Sequence, residues 1–193
     1  NNAGGYFGTR TENKNGYEYT FAMNHLGHFL LTNLLLDNIK ATPNARIVNV
    51  SSAAQGMGKI NFDDIMAKQK YSGFRAYCQA KLANVVFSKS LAERLEGTTV
   101  TANAVHPGAV NTGFGAEAGS FFKFIMNLAR PFLRSPDKGA KTSVHVASTP
   151  DLTVTGKYWA DCKVKSNNKQ ADDPEVQRRL WDLSCELTGW SDN

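Results

Sequence analysis

Tyr77 and Lys81 are the residues of this sequence whose types and spacing best suit proton transfer. They lie four residues apart in a run from Ala76 to Phe87, so on a helix they share one face, one turn apart. A tyrosine hydroxyl has an ordinary pKa of about 10, and a nearby ammonium group favours its ionised form. Such a pair could move a proton near neutral pH. A half-buried tyrosine beside a lysine that extends to solvent has the same spacing, so the pair alone does not separate chemistry from packing.

The composition is that of a globular protein, and we expect one domain over residues 1–193. Of these residues 41% are hydrophobic and 20% charged, and the net charge is +5. The basic residues are scattered, without the clusters that follow a nucleic-acid backbone, so we expect no nucleic-acid partner. Cys78, Cys162 and Cys185 are odd in number and far apart, which favours a reducing compartment and indicates neither a disulfide framework nor a metal site. We expect a cytoplasmic protein, with contact to a membrane surface as an additional option.

Alternating strand and helix patterns predict an α/β fold. The predicted strands are short and continuous, as in buried parallel sheets, and cover residues 46–50, 99–105 and 157–162. Helical patterns cover residues 17–36, 76–95, 136–147 and 174–189. Connections of these lengths indicate right-handed crossovers. We therefore expect a Rossmann-like parallel sheet with helices on both faces.

Three loops with polar residues or glycine follow predicted strands or open the chain. They are Asn1-Asn2-Ala3-Gly4, Ser51-Ser52 and the segment from Pro107 to Thr112. In open parallel sheets, ligands bind beyond the carboxyl ends of the strands. The helix that carries Tyr77 is expected to begin on the same side. This convergence favours a functional site over a chance spacing.

Five motifs in this order resemble the short-chain dehydrogenase/reductase family. They are Asn1-Asn2-Ala3-Gly4, Asn24 within a helix, Ser51-Ser52 closing a strand, Tyr77-x-x-x-Lys81, and Pro107-Gly108-x-x-x-Thr112. Each motif alone is weak, whereas all five in order and approximate spacing are specific. The motifs Tyr-Cys-x-Ala-Lys-Leu-Ala-Asn and His-Pro-Gly are most similar to those of the retinol-dehydrogenase-like group. That resemblance implies an oxidoreductase that interconverts alcohols and carbonyls of lipophilic substrates with a nicotinamide cofactor.

The resemblance also implies a role for each matching residue. Tyr77 would exchange a proton with the substrate oxygen, and Lys81 would lower the pKa of Tyr77 and hydrogen-bond the nicotinamide ribose. Ser52 would hold the substrate oxygen, and Asn24 would anchor a water that relays protons to Lys81. These roles suit a hydride transfer, because the alkoxide that is made or consumed needs a donor already in place. Ser51 and Ser52 point to opposite sides if the strand continues, and the family spacing favours Ser52.

The cofactor implied by the resemblance is NADP(H) rather than NAD(H). Its expected contacts are Asn1, Ala3, Gly4, Tyr77, Lys81, Pro107, Gly108, Val110 and Thr112. The phosphate-binding pattern Gly-x-x-x-Gly-x-Gly is absent from this sequence. Family members carry it in a βαβαβ half that would precede Asn1. We therefore expect the chain to match the C-terminal two-thirds of such an enzyme, either as a piece of a longer protein or as a truncated molecule.

Residues 116–134 fall where the family places a helix that covers the substrate. A surface helix docked on the core, or a contact with a membrane surface through Lys123, Arg130 and Arg134, are the alternatives. The second apolar faces of helices 17–36 and 76–95 predict a homodimer. A non-catalytic module that uses these faces for protein interaction is the alternative function, although all four catalytic residue types are present.

Overall fold

The structure, a computed structural model, describes residues 1–108 and 135–191. Helix α1 has three consecutive parts, namely Tyr19–Phe21, a π-helical turn Ala22–Leu26, and Gly27–Leu34. The other α-helices in these ranges are α2 (Leu36–Lys40), α3 (Gly73–Arg94), α4 (Pro136–Ser148) and α5 (Pro174–Thr188). The strands are β1 (Arg46–Val50), β2 (Thr101–His106), β3 (Tyr158–Ala160) and β4 (Lys163–Lys165). Short 3₁₀ turns cover Ala53–Met57, Phe62–Asp64 and Lys169–Asp172.

The four strands form one sheet in the order β1-β2-β3-β4. β1, β2 and β3 are parallel, with Arg46 opposite Thr101 at the start of the first pair. The backbone of Asn1 extends the sheet beyond β1, because its amino nitrogen donates to the Val48 carbonyl at 2.9 Å and its carbonyl accepts from the Val50 N–H at 2.9 Å. The opening loop of the chain therefore lies beside the carboxyl end of β1.

The helices cover both faces of the sheet, as the sequence predicts. Ala104 belongs to a core cluster with Leu82 of α3, whereas its neighbour Val105 packs with Val146 of α4. Successive side chains of a strand point to opposite faces, so α3 and α4 lie on opposite sides of β2. The strand order nevertheless advances in one direction, so the two crossovers have opposite hands. The expectation that every crossover is right-handed is therefore wrong.

β4 is an element that the sequence patterns miss. Residues 157–162 were expected to form one strand, but β3 ends at Ala160 and the chain reverses to an antiparallel β4. Asp161 and Cys162 have φ angles of 53° and 57°, as both central residues of a type I′ hairpin turn require. Lys163 and Lys165 flank this exposed edge, and lysine at an edge discourages pairing with another sheet.

α5 has the inward stripe that its sequence predicts, and it packs on the outer side of α3. Leu180 and Trp181 of α5 are buried, and Gly189 ends the helix with a left-handed φ of 68°. The guanidinium carbon of Arg94 lies 3.7 Å from the centre of a Trp181 ring. The outer face of residues 76–95, which the sequence assigned to a homodimer, is thus largely covered within the chain. Across the described ranges, no helix combines the length and apolarity needed to cross a bilayer.

Candidate active site

Ser52 and Tyr77 meet at the carboxyl end of β1, where their side chains lie close enough to interact. The 3₁₀ turn that follows β1 orients Ser52, because its hydroxyl accepts from the Ala54 N–H at 3.2 Å. Ser51 points the other way and is buried under α3, where its hydroxyl donates to the Lys81 carbonyl at 2.7 Å. The two serines therefore take opposite sides, and Ser52 is the one that faces Tyr77.

Lys81 is buried beside Tyr77, one turn further along α3. Its ammonium nitrogen lies 5.7 Å from the Tyr77 ring centre and donates to the Val50 carbonyl at 3.1 Å. Only 4% of Lys81 is exposed, and burial lowers the pKa of its amine to about 8. Burial penalises the charged form of an amine because little water remains to solvate it. The site thus holds an amine that can be either charged or neutral near physiological pH.

The pKa of Tyr77 differs from the sequence expectation. Burial raises the pKa of Tyr77 to about 12, and the neighbouring Ser52 hydroxyl opposes that effect only in part. The sequence predicts that Lys81 lowers the pKa of Tyr77, but it shows which residues are neighbours and not how deeply they are buried. In the absence of other groups, the Tyr77 hydroxyl is therefore neutral at pH 7 and is a proton donor.

Asn24 lies in the π-helical turn of α1, which is closed by a hydrogen bond from the Gly27 N–H to the Ala22 carbonyl. Single π turns inside α-helices often occur at functional sites. The Asn24 amide donates to the Gly5 carbonyl at 2.9 Å and the Thr20 carbonyl at 2.8 Å, and its oxygen accepts from the Gly5 N–H at 3.3 Å. Both amide hydrogens are used, so a water held by Asn24 would need the side-chain oxygen or the backbone carbonyl.

Gly4 brings the opening loop of the chain against this group. A Cβ on Gly4 would stand 2.5 Å from the Asn24 side-chain oxygen and 3.4 Å from the Lys81 nitrogen. Only glycine allows this close approach. The neighbouring Asn1 side chain donates to Thr32 at 2.8 Å and to Asn49 at 2.7 Å. Its amide hydrogens therefore join the loop to α1 and β1, and its expected contact with the cofactor stays a prediction.

The third loop of the predicted site follows β2. Pro107 and Gly108 directly succeed His106, whose ring nitrogen accepts from the Ala53 N–H at 3.2 Å and so links this loop to the one after β1. Gly108 has a left-handed φ of 90°. The predicted contacts Val110 and Thr112, and the predicted substrate-covering segment 116–134, lie outside the described residues.

Several residues near Tyr77 carry no sequence signal. The Tyr6 ring meets the Tyr77 ring edge-on with centres 5.9 Å apart. Tyr158 of β3 is buried close enough to Tyr77 and to the Gln55 side chain to interact with both. Asn168 holds the same loop from the other end of the chain, donating to the Gly58 carbonyl at 2.9 Å. Their partners lie far away in sequence, so no spacing could have indicated them.

Comparison with known proteins agrees with this geometry. The family of short chain dehydrogenases matches residues 1–121. Retinol dehydrogenase 14 of Mus musculus is 43% identical over 198 residues, which cover 98% of this chain and 58% of that protein. Retinol dehydrogenase 12 of Homo sapiens is 44% identical over 190 residues, which cover 98% of this chain and 60% of that protein.

Solved structures show the same fold. An uncharacterized protein from Mycobacterium Paratuberculosis superposes with a TM-score of 0.75 at 32% identity, over 96% of this chain and 64% of that one. A short chain dehydrogenase from Pseudomonas syringae gives a TM-score of 0.55 at 25% identity, over 72% of this chain and 49% of that one.

The chain spans about three-fifths of the length of the curated relatives that it matches. Over that length, the family match includes Asn24, Ser52, Tyr77 and Lys81. The chain belongs to the short-chain dehydrogenase/reductase family and is similar to its retinol-dehydrogenase-like group.

Proposed function

We propose that the protein is an NADP(H)-dependent oxidoreductase that interconverts an alcohol and a carbonyl on a lipophilic substrate, with Tyr77 as acid/base. The observation that carries this proposal is that the Ser52 and Tyr77 side chains face each other beside the buried amine of Lys81, whose nitrogen lies 5.7 Å from the Tyr77 ring centre. The preference for NADP(H) over NAD(H) is extended from the retinol-dehydrogenase-like resemblance.

The residues present fit the nicotinamide side of such a cofactor. Lys81 donates one hydrogen bond to the Val50 carbonyl, and an ammonium group has three donors, so a further donor can hold a ribose hydroxyl. Gly4 keeps the opening loop close to Lys81 without a side chain in between. When bound, the cofactor supplies or accepts the hydride.

The protein's own part of the reaction is to hold the substrate oxygen and move its proton. During carbonyl reduction, the neutral Tyr77 hydroxyl donates its proton to the oxygen on which negative charge develops. The Ser52 hydroxyl hydrogen-bonds that oxygen and keeps it beside Tyr77. The cationic form of Lys81 stabilises the tyrosinate that remains until a proton returns. Alcohol oxidation uses the same residues in reverse.

Two observations support a lipophilic substrate. The Tyr6 ring borders Tyr77, so the site has an aromatic wall on one side. The curated relatives are named for retinol, which is a lipophilic alcohol. Apolar sites discriminate weakly among apolar ligands, because one methylene changes binding by only about 1–3 kcal/mol. We therefore propose a class of lipophilic aldehydes and alcohols rather than a single compound.

The experiment is a panel of aldehydes, including retinal, tested with NADPH and with NADH in the full-length protein. Wild-type protein should oxidise NADPH faster than NADH, and Tyr77→Phe should lower kcat by about 10²–10⁴-fold, the usual contribution of a general acid. Tyr19→Phe is the matched control, because Tyr19 lies on the exposed side of α1. Equal inactivity of wild type and Tyr77→Phe with cofactor still bound would show that the oxidoreductase proposal is wrong.

A non-catalytic interaction module is the alternative function. It is favoured by the exposed apolar residues on and after α1, where Leu31, Leu34 and Leu35 are 52%, 65% and 44% exposed. The same panel separates the two functions, because an interaction module would bind a partner equally well with Phe at position 77 and turn over no aldehyde.

A further inference from the structure

α1 presents a stripe of buried polar side chains to the candidate active site. Asn24, His28 and Thr32 are spaced four residues apart, so they share one face of the helix, and each is at most 3% exposed. Asn24 hydrogen-bonds the backbone of Gly5, and Thr32 accepts from the Asn1 side chain. His28 lies between them and is the member of the stripe whose role the catalytic residues do not explain.

Both ring nitrogens of His28 are buried, and neither makes a hydrogen bond of good geometry. A buried polar group that loses its partners costs about 1–3 kcal/mol. An apolar side chain at the same position would carry no such cost. The two nitrogens therefore indicate that His28 pairs with a group that the protein or a buried water provides.

The amine of Lys81 lies next to this polar face of α1, because a Cβ on Gly4 would stand 2.5 Å from the Asn24 side-chain oxygen and 3.4 Å from the Lys81 nitrogen. Burial, followed by the positive charge of Lys81, lowers the pKa of His28 to about 4. The other charged or titratable groups near the ring are His25 on the same helix and the amino group of Asn1. His28 is therefore neutral at pH 7, and a neutral imidazole has one nitrogen that donates and one that accepts.

Each ring nitrogen has a candidate partner of suitable chemistry. The backbone of Ala3 lies beside the ring and favours a donated hydrogen bond. Lys81 donates one of its three N–H groups to the Val50 carbonyl. The remaining acceptor nitrogen of His28 and the remaining donors of Lys81 thus have complementary chemistry.

We propose that His28 is a positioning residue for Lys81. The neutral imidazole accepts a hydrogen bond from the Lys81 ammonium through one buried water, and this link holds the ammonium where it can reach the cofactor ribose and Tyr77. This role rests on the proposed function for its consequence in catalysis, but the contact itself does not need turnover.

The test is the pKa of Lys81, measured by NMR titration of full-length, cofactor-free protein with isotope-labelled lysine. A hydrogen bond to a charged group is worth about 1.5–3 kcal/mol, so its loss shifts a pKa by roughly 1–2 units. His28→Leu removes the acceptor and should lower the pKa of Lys81 by that amount. His28→Gln keeps an acceptor and should restore most of the shift.

His25→Leu is the matched control. His25 is a buried histidine on the same helix, but its ring bonds the Ser184 hydroxyl at 3.0 Å, on the side of α5. This variant should leave the pKa of Lys81 unchanged. An unchanged pKa of Lys81 in His28→Leu, or equal shifts in His28→Leu and His25→Leu, overturns the proposal.

A second measurement needs no variant and applies even if His28→Leu does not fold. In labelled wild-type protein, the ¹⁵N shifts of His28 should show a neutral ring down to about pH 5, with one nitrogen accepting a hydrogen bond. A ring that is already charged at pH 6 has no acceptor and contradicts the proposal. Both measurements are independent of activity, so an inert wild-type enzyme would refute the proposed function and leave the role of His28 to be decided by NMR.

Discussion

The two halves of α3 are almost equally buried but are held by different kinds of contact. The first half carries Tyr77 and Lys81, and its polar groups bind backbone atoms, as when the Gln79 amide donates to the Ile65 carbonyl at 2.9 Å. The second half packs by its side chains, with the Phe87 ring centre 5.9 Å from that of Trp181. Hydrogen bonds fix direction, whereas aromatic packing contributes mainly burial. One helix thus combines an end that is specified for chemistry with an end that stabilises the fold.

Trp181→Ala tests the aromatic end and should have the largest effect. Truncation of a buried tryptophan costs about 3–5 kcal/mol, which corresponds to a fall in Tm of roughly 10 °C for a domain of this size. Trp181 is 4% exposed and its ring contacts Phe29, Phe87 and Trp190. Urea unfolding and thermal denaturation measure the loss, with the less buried Trp190→Ala as the control.

Turnover per folded molecule should not change in Trp181→Ala if the two ends are independent. A large fall in kcat at a temperature where the variant is folded would mean that aromatic packing also positions Tyr77, and the contrast between the two ends would fail.

Lys81→Met breaks the polar end. Removing a cation that assists proton transfer should lower kcat by about 10²-fold or more at pH 7. Stability should not fall at that pH, because the folded protein buries a charge that methionine lacks. Steady-state kinetics and urea unfolding of the same preparations measure both effects. A loss of stability as large as that of Trp181→Ala would show that Lys81 is mainly a packing residue.

The stabilities of the wild-type protein and of Lys81→Met should also depend differently on pH. The amine of Lys81 has a pKa of about 8 in the folded protein and an ordinary pKa of 10.5, so between these values the unfolded state binds more protons. Wild-type stability therefore rises with pH from about 8 to 10.5 relative to Lys81→Met. Any advantage of the methionine variant at pH 7 should shrink by pH 10. Unfolding at three pH values tests this, and a constant difference between the two proteins contradicts it.

The sequence was most informative where the pattern is local. The continuous β-branched run predicts β1 with the bounds that the structure has. The motif order predicts Ser52, Tyr77 and Lys81 as site residues, and the fold brings these three together. β4 was missed because Asp161 and Cys162 are not a common pair for a type I′ turn. The inward stripe of α5 was evident, but the helix that it would cover was not.

The environment of the candidate site was less predictable for a physical reason. Whether the pKa of Tyr77 rises or falls depends on burial against neighbouring charge, and burial is a property of the assembled fold. No sequence pattern marks His28 or Asn168, because their partners come from other elements. Asn168 contacts a loop more than 100 residues earlier, as its hydrogen bonds to Gln55 show.

Asn168→Ala sharpens the comparison by loosening the loop next to Ser52 without touching α3. The Asn168 amide donates to the carbonyls of Gln55, Gly56 and Gly58 at 3.3, 3.3 and 2.9 Å. Loss of these bonds should cost about 1–2 kcal/mol of stability and lower kcat by roughly tenfold, since Ser52 begins this loop. Asn167→Ala, which removes an exposed hydrogen bond to Asp172, is the matched control. Equal kinetics for the two variants would show that the position of this loop does not affect catalysis.

The smallest effect on stability is expected on the outward face of α1, which neither end of α3 covers. Leu34 is 65% exposed, so Leu34→Lys should change the free energy of unfolding by less than about 0.5 kcal/mol. Because α5 already covers much of α3, a homodimer would have to rely on this face of α1. We propose that Leu34→Lys converts a dimer to monomers, as measured by light scattering of the full-length protein, whereas Val144→Lys on α4 does not. A wild-type protein that is monomeric at all concentrations would rule out the dimer. The exposed Leu31, Leu34 and Leu35 would then need another partner.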